Sequence, residues 1–388
     1  MRIAIYGGSF NPPHCGHVEA ARTIADTLKP DKLLIIPASI PPHKELAEGS
    51  PSAKERLLLT QMAFADIPGA EVCDIEILRE GKSYSADTLE QLMGIYPEAE
   101  FIFAMGTDML LSFEEWYRYR FLLENMTLAV FCRNEGEDAE IQRHAEYLKK
   151  EYGARIIGIN HDPKPMSSTA LRDMLPRRMG ASWIPDDVYS YIIRKGLYAS
   201  KAELYWLREK SYAYLKPNRV AHVAGCESEA VRLAQRWGEN PETAAEAGIL
   251  HDITKKLLLH EQLILCEKYG IINNTFETEN VKLLHAKTGA ALAKDLFNIS
   301  DEVYEAIRWH TTGKPDMNLL EKIIYMADYI EPNRDFPGVE ELRKLAYEDI
   351  NAAMELGLEM SLEDIRSYGN EPYTVTVEAY KWYKEIRK

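Results

Sequence analysis

Two sets of residues in this sequence have types and spacings suited to chemistry. The first is the run Gly7-Gly8-Ser9-Phe10-Asn11-Pro12-Pro13-His14-Cys15-Gly16-His17. It follows the apolar stretch Ile3-Ala4-Ile5-Tyr6 and opens an amphipathic one, which predicts a strand–loop–helix junction. Glycines at such a junction let the backbone approach a phosphate closely, and the first turn of a helix offers unpaired N–H groups and the positive end of its dipole. His14 and His17 add side-chain donors where charge builds on a transferring phosphoryl group and its leaving group. A bare glycine turn beside two surface histidines would be weak evidence; eleven matching residues at one junction favour phosphate handling.

The second set is His222, His251-Asp252, His285, His310 and Asp328, which takes four of the ten histidines in the chain. A lone buried histidine is more often structural, and a His-Asp pair is common by chance. The ordered set on helical segments argues for a metal centre instead. The segment Gly248–Asp252 reads as helix, and adjacent His and Asp side chains are costly to bury unless paired or metal-bound. Imidazole nitrogen with carboxylate oxygen suits iron, manganese or zinc better than calcium.

The elements that must position these residues differ between the halves. From Met1 to about Tyr198, short apolar runs (Ile3–Tyr6, Leu33–Ile36, Phe101–Ala104, Leu128–Cys132, Arg155–Ile159) alternate with helical patterns such as His17–Leu28 and Ala53–Phe64. That alternation predicts an α/β, doubly wound parallel sheet. Beyond Tyr198 the strand-like runs nearly vanish and apolar residues recur at helical spacing, with Pro217, Pro241 and Ser300 at helix starts. An all-α second domain is expected, giving domains at 1–198 and 201–388 with the boundary near Gly196–Lys201.

Composition sets the outer limits. At 388 residues the chain exceeds what one core usually serves. Its formal net charge of -15 argues against broad nucleic-acid binding, though a few local cations and helix N-termini suffice for phosphate-bearing small molecules. The five cysteines are scattered and form no CxxC pair, which reads as reduced thiols. No apolar run reaches the roughly 18 residues of a membrane span, and the strand-like start does not resemble a signal peptide. A cytoplasmic protein, with homo-oligomerisation left open, is the expectation.

Further motifs narrow the first half. Pro42-His43-Lys44, Ser83-Tyr84-Ser85-x-Asp87-Thr88-Leu89, Gly106-x-Asp108, Trp116 and Ser167-Ser168-Thr169-x-x-Arg172 occur in order behind the His-x-Gly-His signature. Together they resemble bacterial nicotinate-nucleotide adenylyltransferases of the HxGH nucleotidyltransferase superfamily, across essentially all of 1–198. The resemblance implies ATP binding by Gly8, Ser9, Phe10, His14, His17, Gly106, Asp108, Ser167, Ser168, Thr169 and Arg172, with magnesium on the triphosphate. It implies pyridine-nucleotide binding by His43, Lys44, Tyr84, Ser85, Asp87 and Trp116. Ser85 stands where the family usually has threonine and keeps the hydroxyl; Met166 replaces a usual isoleucine. Physically, Ser167–Thr169 can cap a short helix and Arg172 can meet a triphosphate tail. Trp116 taken alone would more often be core. His144 and His161 match nothing and read as surface residues.

In the second half, Arg219-Val220-Ala221-His222, Leu250-His251-Asp252-Ile253-Thr254-Lys255, Leu284-His285-Ala286-x-x-Gly289, His310-Thr311-Thr312-Gly313 and Ala327-Asp328-Tyr329-Ile330-Glu331-Pro332 resemble the YqeK-type HD hydrolases, over roughly 201–388. That family cleaves diadenosine tetraphosphate symmetrically to two ADP and resembles a di-iron enzyme. The resemblance implies that His222, His251, Asp252 and Asp328 hold one metal, and that Asp252 bridges to a second held by His285 and His310. Lys255, one helical turn after Asp252, and Arg219 would meet the phosphate chain; for both, a solvated salt bridge is the plain alternative. Lys314 is a weaker phosphate candidate, and His260 reads as ordinary surface.

The expectation is a bifunctional enzyme with ATP, nicotinate mononucleotide and a dinucleoside polyphosphate as small-molecule partners, and with neither nucleic acid nor membrane. Catalysis would fall to His14 and His17 in the first half and to Asp252 and Lys255 in the second. Two rival readings stand beside it. One substitutes pantetheine phosphate in the first half and another nucleotide in the second. The other makes the helical half a silent nucleotide-sensing module. The Ser-Tyr-Ser loop with Trp116 speaks against the first rival, and the complete ligand set speaks against the second.

Overall fold

A computed structural model of the chain describes residues 1–42, 45–132, 139–162, 165–272 and 274–387. The chain divides into two compact units, Met1–Ser200 and Lys201–Lys388.

The first unit is built on six strands: β1 (Arg2–Gly8), β2 (Lys32–Pro37), β3 (Ala70–Val72), β4 (Glu100–Met105), β5 (Met126–Cys132) and β6 (Arg155–Asn160). All neighbours run parallel, in the order β3-β2-β1-β4-β5-β6. The central strands β2, β1, β4 and β5 are largely buried and read as near-continuous apolar runs. Ile3, Ile5, Leu34, Ile36, Phe101, Phe103, Leu128 and Val130 pack with Leu89, Leu92 and Leu122 from the covering helices. The five strands expected from sequence are present. β3 was not expected: with three residues, none of them buried, Ala70–Val72 carries no apolar run.

The strand order reverses between β1 and β4, and their carboxyl ends splay apart there to leave a crevice. The loop after β1 leads into helix Cys15–Leu28, and the loop after β4 into the short helix Thr107–Leu111. Helix Ala53–Phe64 starts with a capping box in which the Ser52 hydroxyl accepts from the Glu55 N–H and the Glu55 carboxylate accepts from the Ser52 N–H.

The second unit is helical, with no strand among the described residues. Its central helices are Pro217–Trp237, Pro241–Leu250, Val281–Phe297, Asp301–Trp309 and Leu319–Ile330. The expected starts hold: Pro217 and Pro241 are first helical residues, and the Ser300 hydroxyl accepts from the Val303 N–H as N-cap. The first two of these helices touch most closely at Gly248, where an added Cβ would lie 2.8 Å from the Cα of Glu227. No helix of the described residues is long and apolar enough to cross a membrane.

That contact is testable. Gly248→Ala should destabilise the helical unit by about 1–3 kcal/mol, because the clash is with backbone rather than a movable side-chain tip. Gly94→Ala, in a helix with nothing within 4 Å of the new methyl, should be neutral or stabilise by up to about 1 kcal/mol. Urea unfolding followed by circular dichroism separates the two; a Gly248→Ala chain as stable as wild type would count against the close approach.

Candidate active sites

In the first unit the loop from Gly7 to His14 closes over the β1 end. A Cβ on Gly8 would lie 3.0 Å from the ring of Phe10. Phe10 has a φ of 44° and turns its side chain into the core, edge-on to Tyr6, Phe64 and His17. Phe10, expected at the ATP site, is thus buried, and it does not line the cavity of this crevice. His14 is the N-cap of helix Cys15–Leu28, and its N–H donates to His17 Nδ1 at 3.2 Å. The two imidazoles lie 3.7 Å apart between centroids. The intervening glycine has a steric reason, since a Cβ on Gly16 would sit 3.1 Å from two atoms of the His14 ring. His14 is buried, its Nδ1 has no partner, and burial pulls its pKa down to about 4. It is a neutral imidazole at pH 7.

Across the crevice the Asp108 carboxylate folds back over Gly106, where a Cβ would fall 2.5 Å from Oδ1. Ser167 caps helix Ser168–Met174 by accepting from the Ala170 N–H at 3.1 Å. Ser168 and Arg172 reach back to the loop instead: the Ser168 hydroxyl donates to Pro12 O at 2.8 Å and Arg172 Nη1 donates to Asn11 O at 2.7 Å. Arg172 Nη2 also donates to Thr169 Oγ1 at 3.0 Å. Between these groups lies a cavity of about 1760 Å³, lined among others by Gly8, Ser9, His14, His17, Asp108 and Trp116.

Trp116 serves the core and the cavity together, stacking on Phe113 at 5.0 Å and meeting Phe103 edge-on at 5.9 Å. Tyr84 lines the same wall and pairs with Tyr117 at 4.8 Å. Ser85 begins helix Ser85–Ile95 beside it. Asp87 points elsewhere: it lies 4.0 Å from Arg118, which is also bonded through both terminal nitrogens to Glu90, and it does not line the cavity. His43 and Lys44 lie outside the described residues. His161, expected at the surface, is buried, lines the cavity and sits with Nδ1 3.3 Å from the Thr23 hydroxyl. His144 is half-buried rather than exposed.

In the second unit the six expected side chains converge. Helix Pro241–Leu250 ends at Leu250, so His251 and Asp252 follow the helix in a turn rather than lying inside it, and Lys255 belongs to that same turn. His310 similarly caps the end of helix Asp301–Trp309. Ending the helices there aims the side chains along the axes instead of across them. Nε2 of His222 lies 3.0 Å from Asp328 Oδ1 and 3.3 Å from His251 Nε2. Nε2 of His285 lies 3.2 Å from Asp252 Oδ1 and 3.1 Å from His310 Nε2. Asp252 faces both groups: Oδ2 is 3.5 Å from His251 Nε2, and Oδ1 is 3.7 Å from His310 Nε2.

The donor chemistry fits a metal. His251 Nδ1 and His310 Nδ1 lie 2.7 and 2.6 Å from the carbonyls of Gly248 and Ile307, which can only accept. Each Nδ1 therefore carries an N–H, and Nε2 is the nitrogen that faces inward. Burial drives the pKa of His285 down to about 4 and lowers that of His310, so both rings are neutral ligands. Burial pushes the Asp252 and Asp328 carboxyls up, but this is outweighed. Attraction to His251 foremost holds Asp252 well below the usual carboxylate range. The hydrogen bond from His222, with attraction to His251 and His310, does the same for Asp328. Asp252 Oδ1 is buried without a hydrogen bond of good geometry. His222, His251 and Asp328 form one ligand-like group, and His251, Asp252 and His310 another. Inward-facing Nε2 atoms clustered with two carboxylates suit a metal cation.

Three cations ring this centre. Arg219 Nε donates to Asp252 Oδ2 at 2.6 Å, Lys255 Nζ lies 3.0 Å from His285 Nε2, and Arg334 Nη2 lies 2.8 Å from Asp328 Oδ1. Lys314 is paired with the buried Glu321 at 2.8 Å, and His260 is exposed as expected.

A cytidylyltransferase-like family model matches residues 5–174, and an HD domain model matches residues 219–333. Over 198 residues the chain is 36% identical to a protein of Carboxydothermus hydrogenoformans named "probable nicotinate-nucleotide adenylyltransferase", covering 51% of this chain and 98% of that one. Over 182 residues it is 38% identical to the symmetrical bis(5'-nucleosyl)-tetraphosphatase of Bacillus subtilis, covering 45% of this chain and 96% of that one. The chain belongs to both families. A solved structure from Clostridium acetobutylicum, titled a predicted HD superfamily hydrolase involved in NAD metabolism, is 37% identical. It covers 49% of this chain and 100% of that one, with a TM-score of 0.47.

Several residues that build the two halves were not read from the sequence. In the adenylyltransferase-family half, Arg56 has no exposed surface and donates to the carbonyls of Ser9, Ala38 and Ser39 at 2.7–2.8 Å, fixing the glycine loop from beneath. Asn11 is gripped by Tyr198, whose hydroxyl donates to its Oδ1 at 2.9 Å. In the HD half, Arg343 donates to the carbonyls of Ile330, Glu331 and Arg334 at 2.8–2.9 Å. No local spacing marks any of these. Only Glu331, quoted within a motif, carried a signal.

The buried His14 predicts a pH response. Between the ordinary imidazole value near 6.5 and about 4, an unfolded chain binds a proton that the folded one refuses. Stability is therefore full above about pH 6.5 and falls as pH drops through that window. In an NMR titration of histidine-labelled protein, the His14 signal, assigned by its loss in His14→Gln, should stay unmoved from pH 8 to 6 and shift with a midpoint near 4. A midpoint near 6.5 would contradict the buried, neutral ring.

Proposed function

We propose that the first unit transfers the adenylyl group of ATP to nicotinate mononucleotide, releasing pyrophosphate, and that the second hydrolyses diadenosine tetraphosphate to two ADP. The observation that carries the first reading is the closely apposed His14–His17 pair lining one cavity with Asp108 at the point where the sheet order reverses. The one that carries the second is Asp252, with one carboxylate oxygen toward each histidine group.

In the first reaction a phosphate oxygen of the mononucleotide attacks the α-phosphorus of ATP. The new O–P bond forms in line with the breaking bond to the pyrophosphate oxygen. No side chain acts as nucleophile. His14 and His17 donate to oxygens whose charge grows, and the helix start at Cys15 adds backbone N–H groups. Trp116 and Tyr84 offer flat faces for the pyridine ring, while Ser168 and Arg172 hold the loop that carries the histidines. Positioning supplies most of the rate. Magnesium, arriving with the triphosphate, neutralises part of its charge.

In the second reaction His222, His251 and Asp328 would hold one metal and His285 and His310 another, with Asp252 between them. Iron, manganese or zinc suits this donor set. A transition metal held there would supply Lewis acidity, lowering the pKa of water and drawing charge from phosphate oxygens. Arg219, Lys255 and Arg334 stand where a polyphosphate chain would meet them, and each carries positive charge toward it.

The two activities should separate. Asp252→Ala should lower tetraphosphate hydrolysis by several orders of magnitude and reduce the metal content found by elemental analysis. It should leave adenylyl transfer within about twofold. His17→Ala should cut adenylyl transfer by roughly a hundredfold or more and spare hydrolysis. Steady-state assays of both reactions on both variants decide it, and a folded Asp252→Ala chain that lost both activities would refute two independent sites.

The acid mononucleotide should also be preferred over the amide, since a carboxylate accepts charge-assisted bonds that an amide nitrogen cannot. Equal kcat/KM for the two would widen the substrate assignment to both.

A further inference from the structure

The four imidazoles of the HD centre differ in what holds the nitrogen facing away from it. For His251 and His310 that partner is a backbone carbonyl. His285 Nδ1 is buried with no partner. His222 alone has a carboxylate: its Nδ1 lies 3.1 Å from Glu331 Oε1. Glu331 is 1% exposed, and its second oxygen accepts from both the backbone N–H and the side-chain amide of Asn333, at 2.7 and 2.9 Å. The Glu331 carbonyl is held in turn by Arg343 at 2.9 Å. Room for the carboxylate exists because residue 225, one turn beyond His222, is glycine; any Cβ there would overlap Glu331 Oε2.

We propose that Glu331 is a positioning residue that makes the position bounded by His222, His251 and Asp328 the tighter of two metal positions. This rests on the metal centre proposed above. A carboxylate that accepts the Nδ1–H bond fixes the ring tautomer and pushes electron density toward Nε2, more strongly than a neutral carbonyl does. The second position lacks this support. His285 has nothing behind its ring, and Lys255 Nζ stands 3.0 Å in front of its Nε2, a cation that an incoming metal must displace. The two positions therefore fill in order, the Glu331 side first. Because both oxygens of Glu331 are already engaged, the residue acts through His222 and is not itself a ligand.

The test uses the full chain stripped of metal by chelator. Manganese(II) is titrated in and free ion followed by electron paramagnetic resonance; cobalt(II) is titrated in parallel and followed by its visible absorption. Wild type should fill in two steps, the first at least about tenfold tighter. Glu331→Ala should weaken the tight step roughly 10–100-fold, the usual scale for losing an outer partner of a ligating histidine, and leave the weak step unchanged. Glu331→Gln keeps an acceptor but loses the charge, so it should fall between. The cobalt band of the tight step should shift in both variants, which a merely structural role would not produce. Should Glu331→Ala fail to fold by circular dichroism, the isosteric Glu331→Gln carries the test. Two equal steps in wild type, equal weakening of both steps, or no change in the variants would overturn the inference while leaving the metal centre standing. A wild-type chain that took up no metal would overturn the centre and the inference together.

Discussion

Asp252 has no exposed side-chain surface and is held ionised. An isolated carboxylate in that position would cost several kcal/mol. The second unit is organised to offset this. Arg219 meets one oxygen from helix Pro217–Trp237, His285 approaches the other from helix Val281–Phe297, and His310 arrives from the end of helix Asp301–Trp309. Asp328, from helix Leu319–Ile330, adds a second, partly buried negative charge that Arg334 and His222 answer. Four helices and the turn that follows Pro241–Leu250 are thus tied to one another through groups that none of them could bury alone. The close seat of Gly248 on Glu227 follows from bringing His222 and His251 within 3.3 Å.

Both units solve the same mechanical problem in the same way. Each places part of its site where a regular element stops: the loop from Gly8 to His14 after β1 in the first unit, and His251, Asp252 and His310 just past helix ends in the second. Such ends leave backbone carbonyls without partners. In each unit an arginine remote in sequence collects them: Arg56 for Ser9, Ala38 and Ser39, and Arg343 for Ile330, Glu331 and Arg334. A guanidinium presents several donors in a fixed plane and so can hold three carbonyls at once, which a lysine cannot do with the same geometry. These two residues touch no proposed reacting group, yet each sets the shape of the loop that carries or supports one.

What could be read from the sequence was what has a local period or a compact motif. Long apolar strands, the shift to helical spacing beyond Tyr198, and the proline and serine helix starts all follow from near-neighbour physics. The His-x-Gly-His run and the ordered histidine–aspartate set were legible for the same reason. The short edge strand Ala70–Val72 has too few buried residues to leave a pattern. Arg56, Tyr198, Arg334 and Arg343 act across long sequence separations or on carbonyls, which any residue type supplies, so nothing in their neighbourhoods announces them. His251 and Asp252 look helical because Gly248 to Leu250 is helical; only packing against His222 and His285 decides that the helix stops first. Phe10 was assigned to ATP binding through its motif, and its ring turns into the core against Tyr6 and Phe64.

The bond from Tyr198 to Asn11 joins the last turn of the first unit to the loop that bears its histidines, 187 residues away. Every quoted motif of that half ends by Arg172, and the cytidylyltransferase-like match stops at residue 174. The hydrogen bonds draw the limit later. A chain divided between Arg172 and Tyr198 would keep all the recognisable residues and lose the hydroxyl that orients Asn11. Anyone separating the halves of this protein should cut beyond Tyr198, because the turn Leu197–Ala199 is part of the first site's foundation.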